Sequence, residues 1–187
     1  MAGIYLCISI CAIIWIVNGI WLIQAIREHI ASEIYMHIGL GIIFSLLALE
    51  LTIGKHGAWT HFEIFWLEVI GWILYIPSAI LVFGSIIELK HKGKPKSADF
   101  TATTTFIDSG TYSLFRQPIT LGAAIGSFAL VLDFQSILAV ILGLVSLFCF
   151  WMSAIKESEY NIRKFGDAYK EYMKKVPMWN ILKGLRK

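Results

Sequence analysis

Apolar residues run almost unbroken over residues 3–26, 34–54 and 64–87, and two further runs follow at about 118–132 and 136–155. A helix needs about 20 apolar residues to cross a hydrocarbon core roughly 30 Å thick. The pattern therefore predicts an all-α integral membrane protein with about five transmembrane helices. The fourth run is short, so it must cross nearly upright, thin the bilayer or be shielded by its neighbours. Between Leu89 and Phe115 the apolar pattern gives way to a basic stretch and then a Thr-rich one that favours extended backbone, with Asp108-Ser109-Gly110 reading as a turn. Beyond Ile155 the period changes again: Ile162, Phe165, Tyr169, Tyr172 and Val176 recur at helical steps with charged residues between them. This is an amphipathic helix with Gly166 as its weak point.

Two units follow from this pattern. Residues 1–88 form an N-terminal three-helix transmembrane block, and residues 89–187 hold the connector, a transmembrane hairpin and the amphipathic tail. The first run has no basic n-region and no small-residue cleavage site, so it reads as a retained span rather than a signal peptide.

Composition agrees with the pattern: 57% of the 187 residues are hydrophobic and 14% aromatic, too apolar for a soluble domain of this length. Charge adds an orientation. The first two loops carry only Arg27 and Lys55, whereas Lys90, Lys92, Lys94, Lys96 and Arg116 fill the connector, and all the basic residues from Lys156 onward fill the tail. With five crossings the two basic segments share a side, which the positive-inside rule makes cytoplasmic, with the N-terminus outside. Cys7, Cys11 and Cys149 lie within apolar runs and read as packing residues, and no His or Cys spacing suggests a metal site.

Polar residues within the spans have inexpensive explanations. Asn18 can bond a neighbouring helix, Glu50 and Glu68 can reach the outer interface near Lys55 and the histidines, and Pro77 breaks or bends the third helix. Gly122 and Gly126 stand at a spacing that lets another backbone approach the fourth helix closely. Arg116 differs from these. It precedes Gln117 and Pro118, a proline suited to the first turn of a new helix, and a guanidinium there can pair in bidentate fashion with a carboxylate or phosphate. Tyr112 lies just before it, and Glu157, Asn161 and Lys164 share one helical stripe after the hairpin, on the same side of the membrane.

The order Gly110, Tyr112, Arg116, Pro118, then a hydrophobic hairpin, then Glu157, Phe165, Gly166, Tyr169, Tyr172, Val176 and Pro177 resembles the isoprenylcysteine carboxyl methyltransferase family and its phospholipid methyltransferase relatives. The resemblance covers about residues 104–178. This chain has Gln117 and Thr120 where that family usually has His and Tyr, Glu157-Ser158 where it has paired glutamates, and Met152 and Ser153 near the place of an arginine.

The resemblance implies S-adenosylmethionine as cofactor, bound by Tyr112, Arg116, Gln117, Pro118, Glu157, Asn161 and Tyr169, with Arg116 and Glu157 as the catalytic pair and no metal. It implies methyl transfer to a lipid or prenylated small-molecule acceptor reached from the membrane, with no nucleic-acid partner. A phospholipid N-methyltransferase is the alternative acceptor chemistry. A non-catalytic membrane assembly or interaction factor is the rival of another class. Oligomeric state stays open.

Overall fold

A computed structural model describes residues 2–93 and 105–185. Its helices are α1 (Ala2–Arg27), α2 (Ala31–Thr52), α3 (Phe65–Lys92), α4 (Thr111–Leu114), α5 (Pro118–Phe134), α6 (Ile137–Phe165), α7 (Asp167–Lys175) and α8 (Ile181–Leu185), with a 3₁₀ turn at Gly54–His56. No strand occurs among the described residues. The chain is an all-α membrane protein: α1, α2, α3 and α6 are each long and apolar enough to cross a bilayer. The short fourth run becomes α5, whose 17 residues reach about 25 Å. It lies antiparallel along α3, with Gly122 against Ser78, Leu81 and Val82 and Ala129 against Gly71. Ser78 Oγ donates to Gly122 O at 2.8 Å, a backbone contact that the glycine makes possible.

The long helices form an arc in which α1 packs on α2, α2 on α6, α6 on α5 and α5 on α3. Its centre is Ile43 and Leu46 of α2, Ala124 and Phe134 of α5, and Ala139 and Phe150 of α6. α1 is the most exposed member; its isoleucines and valines face outward, as suits a helix solvated by acyl chains. It is fastened to α2 by Trp15 Nε1 donating to Ser45 Oγ at 2.9 Å and by Asn18 Oδ1 lying 3.4 Å from His37 Nδ1. Cys7 and Cys149 are buried packing residues, as expected.

Four expectations need correction. α3 runs continuously through Pro77 rather than breaking there. The segment beyond Ile155 is not one separate amphipathic helix: α6 continues to Phe165 and the break falls at Gly166, where φ is 64° and ψ −137°. That backbone region is open essentially to glycine alone, so Gly166 is a corner that turns α7 back under α6. Glu50 meets His61, as expected, but inside the protein rather than at its surface. It is fully buried and accepts hydrogen bonds from Trp59 Nε1, His61 Nε2 at 3.0 Å and Ser136 Oγ, tying together the two loops at the end of the bundle opposite the tail. The connector also holds the short helix α4, which the Thr-rich composition did not announce; the expected extended run lies mostly outside the described residues, while the turn at Ser109-Gly110 is present.

Candidate functional site at the tail end of the bundle

Three segments meet where α6 leaves the apolar core. The first is the end of the connector, which is clamped onto α3. Gly110 takes φ 62°. This presents Thr111 to Glu88, whose carboxylate accepts from Thr111 N at 3.0 Å and from Thr111 Oγ1 at 2.8 Å, while Ser85 Oγ lies 2.9 Å from the same hydroxyl. α4 then carries Tyr112 inward, 8% exposed.

The second segment is the start of α5. Arg116 N donates to Pro177 O at 3.0 Å, Gln117 is the N-cap residue, and Pro118 occupies the first turn. The third is the end of α6 with α7, which supplies Glu157, Asn161 and Tyr169. Tyr172 Oη donates to Tyr112 O, so α7 and α4 are joined directly. Below them Phe106 packs edge-on against Phe165 at 5.6 Å and Tyr169 at 5.9 Å, and Val176 completes an apolar seat.

All seven residues anticipated from sequence come together here. Gln117 is buried, and with its amide nitrogen facing Glu157 it donates to Oε2 at 2.8 Å. Asn161 lies one turn beyond Glu157 and against its carboxylate. Tyr112 and Tyr169 both lie in the field of Glu157, and Tyr169 also in that of Arg116. Burial first, and the Glu157 carboxylate second, push both phenols above the ordinary tyrosine range. Burial does the same at Tyr172, with the Tyr169 phenol next in importance. These hydroxyls stay protonated near neutral pH, and that of Tyr172 donates to Tyr112 O.

The electrostatics of the site are unbalanced. Arg116 Nε and Nη1 and the Tyr169 hydroxyl are buried without a hydrogen-bond partner among the described residues. A buried guanidinium edge costs several kcal/mol unless something pairs with it. Two adjacent positions are engaged elsewhere. Lys156, a possible substitute for the missing arginine near Ser153, pairs with Glu159 at 3.0 Å, and Ser153 Oγ donates to Ser32 O at 2.8 Å.

Sequence reasoning did not single out Glu88, Ser85, Phe106 or Trp179. Trp179 Nε1 donates to Thr120 Oγ1 at 3.2 Å, and Thr120 Oγ1 donates to Gln117 O at 3.0 Å. None of these residues has a local spacing that marks it; each is recruited by the fold.

A family model described as phospholipid methyltransferase matches residues 66–168, more than half of the chain. The chain belongs to that phospholipid methyltransferase family. The family match runs from α3 to the start of α7, leaving Tyr169 and the tail to the Tyr112, Arg116 and Thr120 contacts just described. Among curated relatives, a protein-S-isoprenylcysteine O-methyltransferase of Xenopus laevis is 29% identical over 148 residues, 70% of this chain and 50% of the frog protein. The Homo sapiens protein of the same description is 27% identical over 150 residues, with the same two coverages. The chain thus spans about half the length of the curated relatives it matches. No solved structure matches.

Proposed function

We propose that this member of the phospholipid methyltransferase family is an S-adenosylmethionine-dependent membrane methyltransferase acting on a lipid-embedded acceptor. One observation carries the reading: a buried guanidinium edge with no hydrogen-bond partner among the described residues, beside the Tyr169 phenol, which lies in the fields of both Arg116 and Glu157. The amino-acid portion of S-adenosylmethionine has the complementary groups, a carboxylate for Arg116 and an ammonium for acidic or neutral oxygens, so the residues present fit it. Bound there, the cofactor would supply an electrophilic methyl group on a positively charged sulfur.

The protein's own work is positioning. Arg116 would hold the cofactor's carboxylate and Tyr112 and Tyr169 would donate from neutral hydroxyls, while Pro118 fixes the start of α5 so that Gln117 keeps Glu157 in one orientation. Asn161 holds the other flank of that carboxylate. Aligning two reactants and excluding water supplies most of the acceleration when the acceptor is already a nucleophile. A prenylcysteine carboxyl group, the chemistry named for the two relatives, meets that condition and is the first acceptor to test. A phospholipid amine is the second reading, favoured by the absence of a cation at Ser153; there Glu157 would receive the proton that the amine loses. The acceptor enters sideways from lipid. The cofactor enters from the cytosol, with the C-terminus on that side and the N-terminus outside.

The test is calorimetric titration of the detergent-purified protein with S-adenosylmethionine and S-adenosylhomocysteine. Binding that Arg116→Ala abolishes supports the reading; a folded protein that binds neither refutes it and favours a non-catalytic membrane factor.

A further inference from the structure

The single turn α4, which carries Tyr112 inward, cannot hold its own shape, because four residues are far too few for a helix to be stable alone. Gly110 stands at its N-cap and has no side chain to accept from the free amides of the first turn. Glu88 of α3 supplies that acceptor from outside. Its Oε2 accepts from Thr111 N at 3.0 Å and from Thr111 Oγ1 at 2.8 Å, and Oε1 lies 3.2 Å from the same amide. Ser85 Oγ, one turn earlier on the same face of α3, lies 2.9 Å from the Thr111 hydroxyl. The approach is so close that a Cβ at Gly110 would collide with the Glu88 carboxylate, and the Thr111 methyl lies over Gly84.

The other side of α4 is held by α7, through Tyr172 Oη donating to Tyr112 O. The turn is thus suspended between α3 and α7, with the Glu88 clamp one residue before Tyr112. The phenol of Tyr112, at the far end of its side chain, lies in the fields of Glu157 and Tyr169. A small tilt of the turn is therefore magnified at the site, where a misplacement of about 1 Å can cost about 100-fold in rate.

We propose that Glu88 is a positioning residue of the methyl-transfer site: by fastening Thr111 it sets where the Tyr112 hydroxyl donates to the cofactor. This rests on the cofactor reading above. Glu88 acts through α4 rather than by contact with the cofactor, since both of its oxygens face Thr111. The clamp gives α3 a part in the site, although α3 supplies none of the seven residues gathered there.

The experiment measures S-adenosylmethionine affinity by calorimetry in the full chain, in Glu88→Ala, in Tyr112→Phe and in the double variant, with a melting temperature for each to establish that it is folded. Glu88→Ala is expected to weaken binding about tenfold, the worth of one well-aimed hydrogen bond. The same substitution made in Tyr112→Phe should weaken it no more than about twofold, because no hydroxyl is left to misplace. Glu88→Gln, whose amide oxygen still accepts from Thr111, should recover most of the wild-type affinity. If Glu88→Ala does not fold, Thr111→Val, which deletes only the hydroxyl of the clamp, takes its place in the same two backgrounds. Unchanged affinity in the folded clamp variant, an equal loss in both backgrounds, or a Glu88→Gln variant as weak as Glu88→Ala overturns this proposal alone. Failure of the folded wild-type protein to bind S-adenosylmethionine overturns the cofactor reading and this proposal together.

Discussion

Each end of the bundle holds a carboxylate from a long helix, Glu50 of α2 at one end and Glu157 of α6 at the other, and their surroundings differ. Glu50 is surrounded by donors that spend themselves on it: Trp59, His61 and Ser136. Nearby Gln135 closes the same end by pairing both its amide groups with the backbone of Ile64, at 2.8 and 3.0 Å. At the tail end Gln117 satisfies Glu157, yet Arg116 and Tyr169 still have unused donors. A polar cluster that closes on itself fastens loops; the guanidinium edge left open at the other end is what the proposed cofactor site rests on.

Two substitutions should separate the ends cleanly. Arg116→Ala is expected to weaken S-adenosylmethionine binding by about 100-fold or more, the loss of a charge-assisted bidentate pair, with no loss of thermal stability because Nε and Nη1 have no hydrogen-bond partner among the described residues to lose. Glu50→Ala should do the reverse: removing one partner of a buried network costs about 3 kcal/mol, read as a lowered melting temperature, while cofactor affinity stays within about twofold. Equal effects of both substitutions on binding would erase the distinction.

Smaller effects test how the tail end is assembled. Gly166→Ala puts a side chain into a backbone region that costs about 1–3 kcal/mol. Because the corner aims Tyr169 and Tyr172, it should weaken cofactor binding as well as lower the melting temperature, whereas a loss of stability alone would mean that α7 does not depend on the corner. Raising the pH should act in a defined direction. The folded protein keeps phenolic protons on Tyr112, Tyr169 and Tyr172 that an unfolded chain sheds above about pH 10, so stability falls as pH rises past that point. Tyr112→Phe should flatten this decline in melting temperature; an identical slope would refute the assignment. Trp179→Phe removes one bond to Thr120 and should cost no more than about 1 kcal/mol.

The site was legible in the chain to the extent that its residues keep local order. Arg116-Gln117-Pro118 reads as a helix start because proline suits the first turn, where no intrahelical N–H is needed, and Glu157 with Asn161 reads as one face because they are four residues apart. Glu88 and Phe106 were not legible as neighbours of the candidate site. They join it through contacts across long separations in the chain, and no periodicity encodes such contacts. The expected amphipathic helix shows the same limit. Composition located a weak point at Gly166, but only the positive φ there reveals that the helix ends and a new one starts at that residue.

The amino-acid sequence by itself determined that the chain is helical and membrane-embedded, where its apolar crossings run, and which residues group as Gly110 to Pro118 and Glu157 to Pro177, because hydrophobic periodicity and proline stereochemistry act locally. The tertiary structure decided which polar groups are satisfied. Glu50 became a fastener and Arg116 an open hand through the way α2, α5, α6 and the tail pack, since a buried hydrogen bond exists only when two distant segments bring donor and acceptor within about 3 Å of each other.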